Sequence, residues 1–304
     1  MSNIGAYSPC ASWARELAVS PAGTAPQFDV LVLVEHPLPW PRDIGADPGL
    51  RHLADVAAEH AASGRTVRLQ AAATDPKNTT RRVVVFDRGE GGFAGYGRTE
   101  GSASVGDLEH LVAELVSARV PSLSSLDVTD VLICTHGTRD RCCGSMGTRL
   151  WMAAERRLPG VHLWRTSHTG GHRFAPTAMT FPEGGCWAHL DEEVLFGLVD
   201  RTLPAVTAAT HLRGCTAFEP SLQVADREVF ASRGWEWLAC TRFGNERGPN
   251  RVELSFETPI GERGTYDVLL EHGRELPVPD CGRDPNAASK LQTELKVAQL
   301  RLRI

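Results

Sequence analysis

The sequence predicts an α/β fold that uses one order of elements twice and ends in a smaller α+β extension. Two near-continuous runs of β-branched and apolar residues, at 28–34 and 128–133, read as strands buried on both faces, the pattern of a parallel sheet. Each run leads through a helical segment into further strands and a closing helix, so strands and helices alternate. The second run ends on Cys134, and the loop that follows is rich in metal-type donors.

The first strand is Phe28-Asp29-Val30-Leu31-Val32-Leu33-Val34. The segment after it, His36-Pro37-Leu38-Pro39-Trp40-Pro41, is excluded from a helix because proline lacks an amide donor and fixes φ. A helix is expected over 49–63, with Leu50, Leu53, Ala54 and Ala57 on one face and Gly64 at its C-terminal stop. Residues 66–70 and 82–86 read as strands. A turn with Gly89, Gly91 and Gly92 follows, and Leu108, Leu111, Val112 and Leu115 mark an amphipathic helix ending near Ala118.

The second set begins with the strand at 128–133, followed by a helix over 148–158 that Pro159-Gly160 stops and a strand over 161–166. Strands at 177–181 and 186–190 flank Pro182-Glu183-Gly184-Gly185 as a hairpin, and Asp191 caps a helix whose apolar face holds Val194, Leu195, Leu198 and Val199. Two copies of roughly 80 to 90 residues, by ordinary element lengths, point to duplication of a thioredoxin-like module, and such copies should share one strand order. In the tail, 221–233 reads as a helix, 252–257 and 265–270 as a hairpin around Pro259-Ile260-Gly261, and 294–304 as a closing strand. No chemistry is assignable to that tail.

Composition narrows the classes. Hydrophobic residues at 42% and charged residues at 23% of 304 suit a globular chain, and a net charge of -5 gives no excess of Lys and Arg for phosphates, so nucleic acid is not an expected partner. No apolar run approaches the ~18 residues that cross a bilayer, and Met1 to Pro9 has neither a basic start nor an apolar core, so neither a membrane nor export is expected. The expected compartment is cytoplasmic. There the eight cysteines are not a disulfide framework. Cys10, Cys186, Cys215, Cys240 and Cys281 read as small buried hydrophobes.

Four other donors group differently. Cys134 and Cys143 share one loop and His168 and His172 the next, with one helix and one strand between. Both loops follow strands of one βαβ unit, which places them at the carboxyl ends of parallel strands, where open α/β sheets keep their sites. The matching loop of the first copy, at 36–40, has no cysteine and is expected to carry no cluster. Thiolates suit Zn and Fe-S clusters, and imidazole suits Zn and Fe. Structural Zn knuckles space their cysteines about two to four residues apart, whereas eight residues separate Cys134 from Cys143. A [2Fe-2S] cluster with two Cys on one iron and two His on the other satisfies the count and has the Rieske ligand set as precedent. A Zn-stabilised Cys2His2 binding module is the alternative from another class. A thiol oxidoreductase using Cys142-Cys143 is disfavoured, because thioredoxin-like redox motifs are Cys-x-x-Cys.

The stretches Cys134-Thr135-His136-Gly137-Thr138-Arg139-Asp140-Arg141-Cys142-Cys143-Gly144 and His168-Thr169-Gly170-Gly171-His172-Arg173-Phe174-Ala175 resemble the sucrase/ferredoxin-like family of thioredoxin-like ferredoxins. Gly23-Thr24-Ala25-Pro26, with Leu33-Val34-Glu35-His36-Pro37 and Trp40, is similar to its bacterial members. The resemblance implies a thioredoxin-like fold and a [2Fe-2S] cluster on Cys134, Cys143, His168 and His172, and its Cys-x8-Cys spacing selects Cys143 over the adjacent Cys142. Residues 1–120 are then a thioredoxin-like module without cluster, 121–208 the thioredoxin-like ferredoxin module, and 209–304 the α+β extension.

The remaining loop residues have bland and sharp readings. Cys142 is a buried thiol beside the cluster, or a substitute ligand when Cys143 is lost. Gly170 and Gly171 let the backbone turn closely, since glycine accepts positive φ. Arg139, Arg141, Arg165 and Arg173 form either a solvated rim or a basic one that stabilises a reduced cluster and docks an acidic electron partner. His136 is expected to order the loop by hydrogen bonding. The expected function is electron transfer, with reduction coupled to protonation if the ligand histidines reach solvent. A redox carrier is expected rather than an enzyme, and no pair of carboxylates recommends a glycoside hydrolase.

Overall fold

The structure, a computed structural model, describes residues 9–121 and 127–303. The chain start at Met1 to Ser8 and the last residue of the expected closing strand, Ile304, lie outside the described residues. In chain order the elements are α1 (Cys10–Glu16), β1 (Val30–Pro37), α2 (Pro48–His60), β2 (Val67–Thr74), β3 (Thr80–Asp87), β4 (Gly97–Ser104), α3 (Leu108–Ser117), β5 (Asp130–Cys134), α4 (Thr148–Arg157) and β6 (His162–Thr166). Then follow β7 (Ala178–Phe181), β8 (Gly185–Trp187), α5 (Glu192–Val199), α6 (Ala205–His211), β9 (Leu212–Cys215), α7 (Pro220–Arg233), β10 (Thr241–Glu246), β11 (Arg251–Glu257), β12 (Arg263–Pro277) and β13 (Leu291–Arg303).

Nine strands form one mixed sheet in the order β4-β3-β1-β2-β6-β5-β7-β8-β9, and β10 to β13 form a second, antiparallel sheet. Within the large sheet one pattern recurs. In residues 30–104 and again in 130–187, the first strand pairs parallel with the second and antiparallel with the third, and the third pairs antiparallel with the fourth. The two four-stranded units thus share a strand order. They meet where Ala72 of β2 pairs antiparallel with Thr166 of β6, near the carboxyl ends of both strands.

β1 shows why such a run is a strand. Its residues 30–34 are at most 1% exposed, with Val30, Val32 and Val34 packed against Leu53, Val56 and Ala57 of α2 and Val112 and Val116 of α3. Leu31 and Leu33 face the other core with Val84, Phe86 and Ile133. Each such side chain contributes roughly 1.5–3 kcal/mol by transfer from water. α2 starts where Asp47 accepts the amides of Gly49 and Leu50, a cap worth about 1 kcal/mol, with Pro48 at the first helical position. In the tail, the guanidinium of Arg242 and the carboxylate of Asp226 form a fully buried pair at 2.9 Å, to which the indole of Trp237 also donates.

The structure corrects several local expectations. α2 ends at His60, and Gly64 instead supplies a positive-φ turn three residues beyond its cap. β4 was not expected, because Gly97-Arg98-Thr99-Glu100-Gly101 offers no apolar run; it is a sheet edge that needs only one covered face. The strand expected over 186–190 stops at Trp187, since His189 takes a left-handed backbone. α1, α6, β9 and β10 also went unanticipated, and β9 places the start of the expected extension inside the large sheet. No helix among the described residues is long and apolar enough to cross a membrane.

His189 generates a test of this packing. Its ring lies edge-on to Phe174 at 5.5 Å, its Nδ1 has no hydrogen-bond partner among the described residues, and burial pushes its pKa down to about 4. The unfolded chain binds that proton near pH 6.5, so stability is full above that pH and falls as pH drops from about 6.5 to about 4. Denaturant midpoints measured across this window should fall less steeply for His189→Asn, which tolerates the left-handed backbone. An equal slope in both proteins counts against the assignment.

Candidate metal centre

β5 and β6 run parallel with Cys134 level with Thr166, so the loops after both strands leave the sheet at the same end. The first loop is pinned at once: Cys134 donates its amide to Thr177 O at 3.1 Å, and Thr135 donates to Thr166 O at 3.0 Å. It returns through a wide helical turn, Cys143–Gly147, that runs into α4. Wide turns of this kind insert one residue into a helix and recur at functional sites. Gly147 lies so close to the Cys134 carbonyl that a Cβ there would collide with it. Asp140 caps the turn, its Oδ1 accepting the amides of Cys142 at 2.9 Å and Cys143 at 3.3 Å.

The second loop starts on the seam. Ser167 exchanges hydrogen bonds with Ala71, its amide donating to Ala71 O and its Oγ accepting from Ala71 N, and Arg68 donates to His168 O at 2.7 Å. Gly170 and Gly171 both have positive φ, at 83° and 65°, as the turn requires. A Cβ on Gly171 would meet the guanidinium of Arg213 at 2.5 Å. That buried arginine on β9 donates to Gly170 O at 3.0 Å, to Cys186 Sγ at 3.2 Å, and to both the hydroxyl and carbonyl of Thr24.

These two loops bring the ligand atoms of Cys134, Cys143 and His168 within 4.8 Å of one another, with Cys134 Sγ and His168 Nδ1 3.8 Å apart. Both thiols are buried completely and His168 partly. His172, the fourth expected ligand, stands beside this group: its ring centroid is 5.9 Å from that of His168, and its Nδ1 lies 3.1 Å from Asp140 Oδ2. Nδ1 held by a carboxylate leaves Nε2 as the atom that could bind a metal, a common arrangement for ligand histidines. Cys142 points away from Cys134, its Sγ 3.7 Å from Cys10 Sγ and 3.3 Å from Cys281 Sγ.

The thiols differ in charge preference. Burial raises Cys134, but Cys143 and His168 more than offset it and hold its pKa well below the ordinary thiol value. Cys143 goes up, through its contact with Cys134 and its burial. Cys142 is lowered to about 6, chiefly by the thiol of Cys10, whose own pKa is raised by the same contact and by burial. Donor type and burial at Cys134, Cys143, His168 and His172 fit a metal ion or an iron–sulfur cluster, both of which take thiolate and neutral imidazole.

The other loop residues have definite places. His136 orders the loop: its Nδ1 accepts the amide of His168 at 3.2 Å, its Nε2–H donates to Pro41 O at 2.9 Å, and its ring meets Trp40 edge-on. Burial lowers its pKa, so it stays neutral. Arg141 is exposed and Arg139 half-buried, whereas Arg165 bonds Thr135 Oγ1 and lies over Trp151. Arg173 does not belong to a solvated rim. It is 2% exposed and ties the His loop to Pro277 O and Gln292, and burial lowers its pKa to about 10. Beside His168 and His172 opens a cleft of about 860 Å³, walled in part by Arg139, Arg213, Arg283 and Lys290. Sequence reasoning missed Arg213, Cys10 and Cys281, which have no local signal. Asp140 did carry one, as an acid two and three residues ahead of amides it could cap.

A relative in the yeast Meyerozyma guilliermondii, altered inheritance of mitochondria protein 32, is 35% identical over 88 residues, which cover 25% of this chain and 31% of that protein. The chain therefore matches about a third of that relative's length. No solved structure matches. The model of the sucrase/ferredoxin-like family matches residues 21–214, well over half of the chain and both ligand loops, and the chain belongs to that family.

Proposed function

We propose that the protein transfers electrons through a [2Fe-2S] cluster held by Cys134, Cys143, His168 and His172, each four-stranded unit being a thioredoxin-like module of which only the second carries a cluster. The observation that supports this most is the meeting of two buried thiols and His168 at the ends of parallel strands, with the competing thiol of Cys142 turned away. A bound cluster supplies one-electron chemistry. The chain's own residues do the rest: the strand ends fix the thiolates, Asp140 orients His172, and His136 holds the two loops together. His168 and His172 line the cleft, whose basic wall suits an acidic electron donor or acceptor protein. The uneven spacing of the eight cysteines argues against a disulfide framework, and we take the compartment to be the cytoplasm.

Anaerobically purified protein should be coloured and contain iron and sulfide in equal amounts. Colourless protein with stoichiometric zinc at this site would turn the reading to the Zn-stabilised binding module. Cys134→Ser, Cys143→Ser and His168→Ala should each lose most of the iron and the visible bands, whereas Cys142→Ser should keep them. Loss in Cys142→Ser alone would move the second thiolate ligand from Cys143 to Cys142.

The ligand set also sets the potential. Two thiolates and two neutral imidazoles leave an oxidised cluster two charge units less negative than four thiolates do, so adding an electron costs less. Protein-film voltammetry should place the couple nearer the roughly -150 to +300 mV of centres with two His ligands than the about -400 mV of four-Cys plant-type ferredoxins. A value near the latter would remove the histidines from the cluster.

A further inference from the structure

Cys10, Cys142 and Cys281 are separated by 132 and 139 residues in sequence, yet their sulfurs converge beside the loop that carries Cys134 and Cys143. Cys10 begins α1, Cys142 ends the cluster loop, and Cys281 sits in the loop between β12 and β13. With Asp140 they form a group whose four ligand atoms all lie within 4.8 Å of one another. We propose that this group is a second metal site, which takes a single Zn2+ ion on three thiolates and one carboxylate.

Two of the separations match those around a tetrahedral ion. A Zn–S bond of about 2.3 Å and a Zn–O bond of about 2.0 Å put neighbouring sulfurs about 3.8 Å apart and sulfur and oxygen about 3.5 Å apart. Cys10 Sγ lies 3.7 Å from Cys142 Sγ and 3.6 Å from Asp140 Oδ2. The Cys142–Cys281 separation of 3.3 Å needs only a small outward shift of the half-exposed Cys281. Their sulfurs contact one another and a carboxylate, besides apolar neighbours such as Ala11, Ala175 and Met146. Soft thiolates with tetrahedral spacing select zinc among the common divalent ions.

The ion would fasten three distant parts of the chain. It would hold α1 and the loop around Cys281 onto the cluster loop through Cys142 and Asp140, and Asp140 also contacts His172 and the Cys143 amide. Asp280, Gly282 and Arg283, next to Cys281, wall the cleft over His168 and His172. Zinc therefore fixes one side of the approach to the histidines. The site shares no ligand with the set Cys134, Cys143, His168 and His172, although Cys10 Sγ and Asp140 Oδ2 both lie beside His172 Nδ1, at 3.4 Å and 3.1 Å.

The test uses the full chain, reduced and kept anaerobic, with Zn2+ and Co2+ as probes. The double variant Cys134→Ser/Cys143→Ser removes both thiolates of the first site, and in that variant one equivalent of Co2+ should still bind with the intense visible bands of tetrahedral thiolate coordination. Cys281→Ser, at a half-exposed loop position and hence least able to unfold the chain, should weaken zinc binding by about tenfold or more while its iron content matches the unsubstituted protein. Cys10→Ser should do the same, with circular dichroism confirming the fold. Zinc content unchanged in both variants overturns the proposal. So does failure of the reduced Cys134→Ser/Cys143→Ser protein to bind Co2+ with thiolate bands, or a Cys142–Cys281 disulfide found by mass spectrometry in the anaerobic protein.

Discussion

The parallel pairing of β5 with β6 governs the site, because it sets Cys134 beside Thr166 and sends both donor loops off the same end of the sheet. An antiparallel pair would have put the loops at opposite ends. Parallel strands need a crossover, here α4, and the glycine at 147 lets the turn before it rest on the end of β5. Cys143 reaches Cys134 through that contact, although eight residues lie between them.

The seam between the two halves of the large sheet is the second constraint. It pairs residues near the carboxyl ends of β2 and β6, so the loop after β1, in the half that lacks cysteines, reaches the loop between Cys134 and Cys143. Trp40 is buried there against His136, and the carbonyls of Trp40 and Pro41 accept from Thr138 and His136. The first half thus serves as a wall: its proline-rich segment, whose few amides leave carbonyls free, supplies acceptors to the loop between Cys134 and Cys143.

Buried charge holds the rest. Arg213 spends its donors on Gly170, Thr24 and Cys186, and Arg173 on Pro277 and Gln292. Removing one partner of such a network strands a buried polar group, which costs about 1–3 kcal/mol and more where the group is charged. Both arginines flank the His loop, so its shape is tied to the N-terminal segment on one side and the second sheet on the other. Asp140 links the same loop to the cysteine turn.

Much of this was legible in the sequence because local chemistry decides it. The apolar runs that became β1 and β5, the prolines that exclude helix after β1, the Asp191 cap and the positive-φ glycines between the histidines each act within a few residues. The pairing of Cys134 with Cys143 and His168, rather than with Cys142, followed from spacing and family pattern. Other features lay beyond local reading: the edge strand β4, with no apolar run, exists because β3 offers it a partner, and Arg173 looked like a surface charge until the second sheet closed over it. The meeting of Cys10, Cys142 and Cys281 was decided by tertiary structure alone, because contacts across more than a hundred residues depend on how separate elements pack and leave no periodicity in the chain.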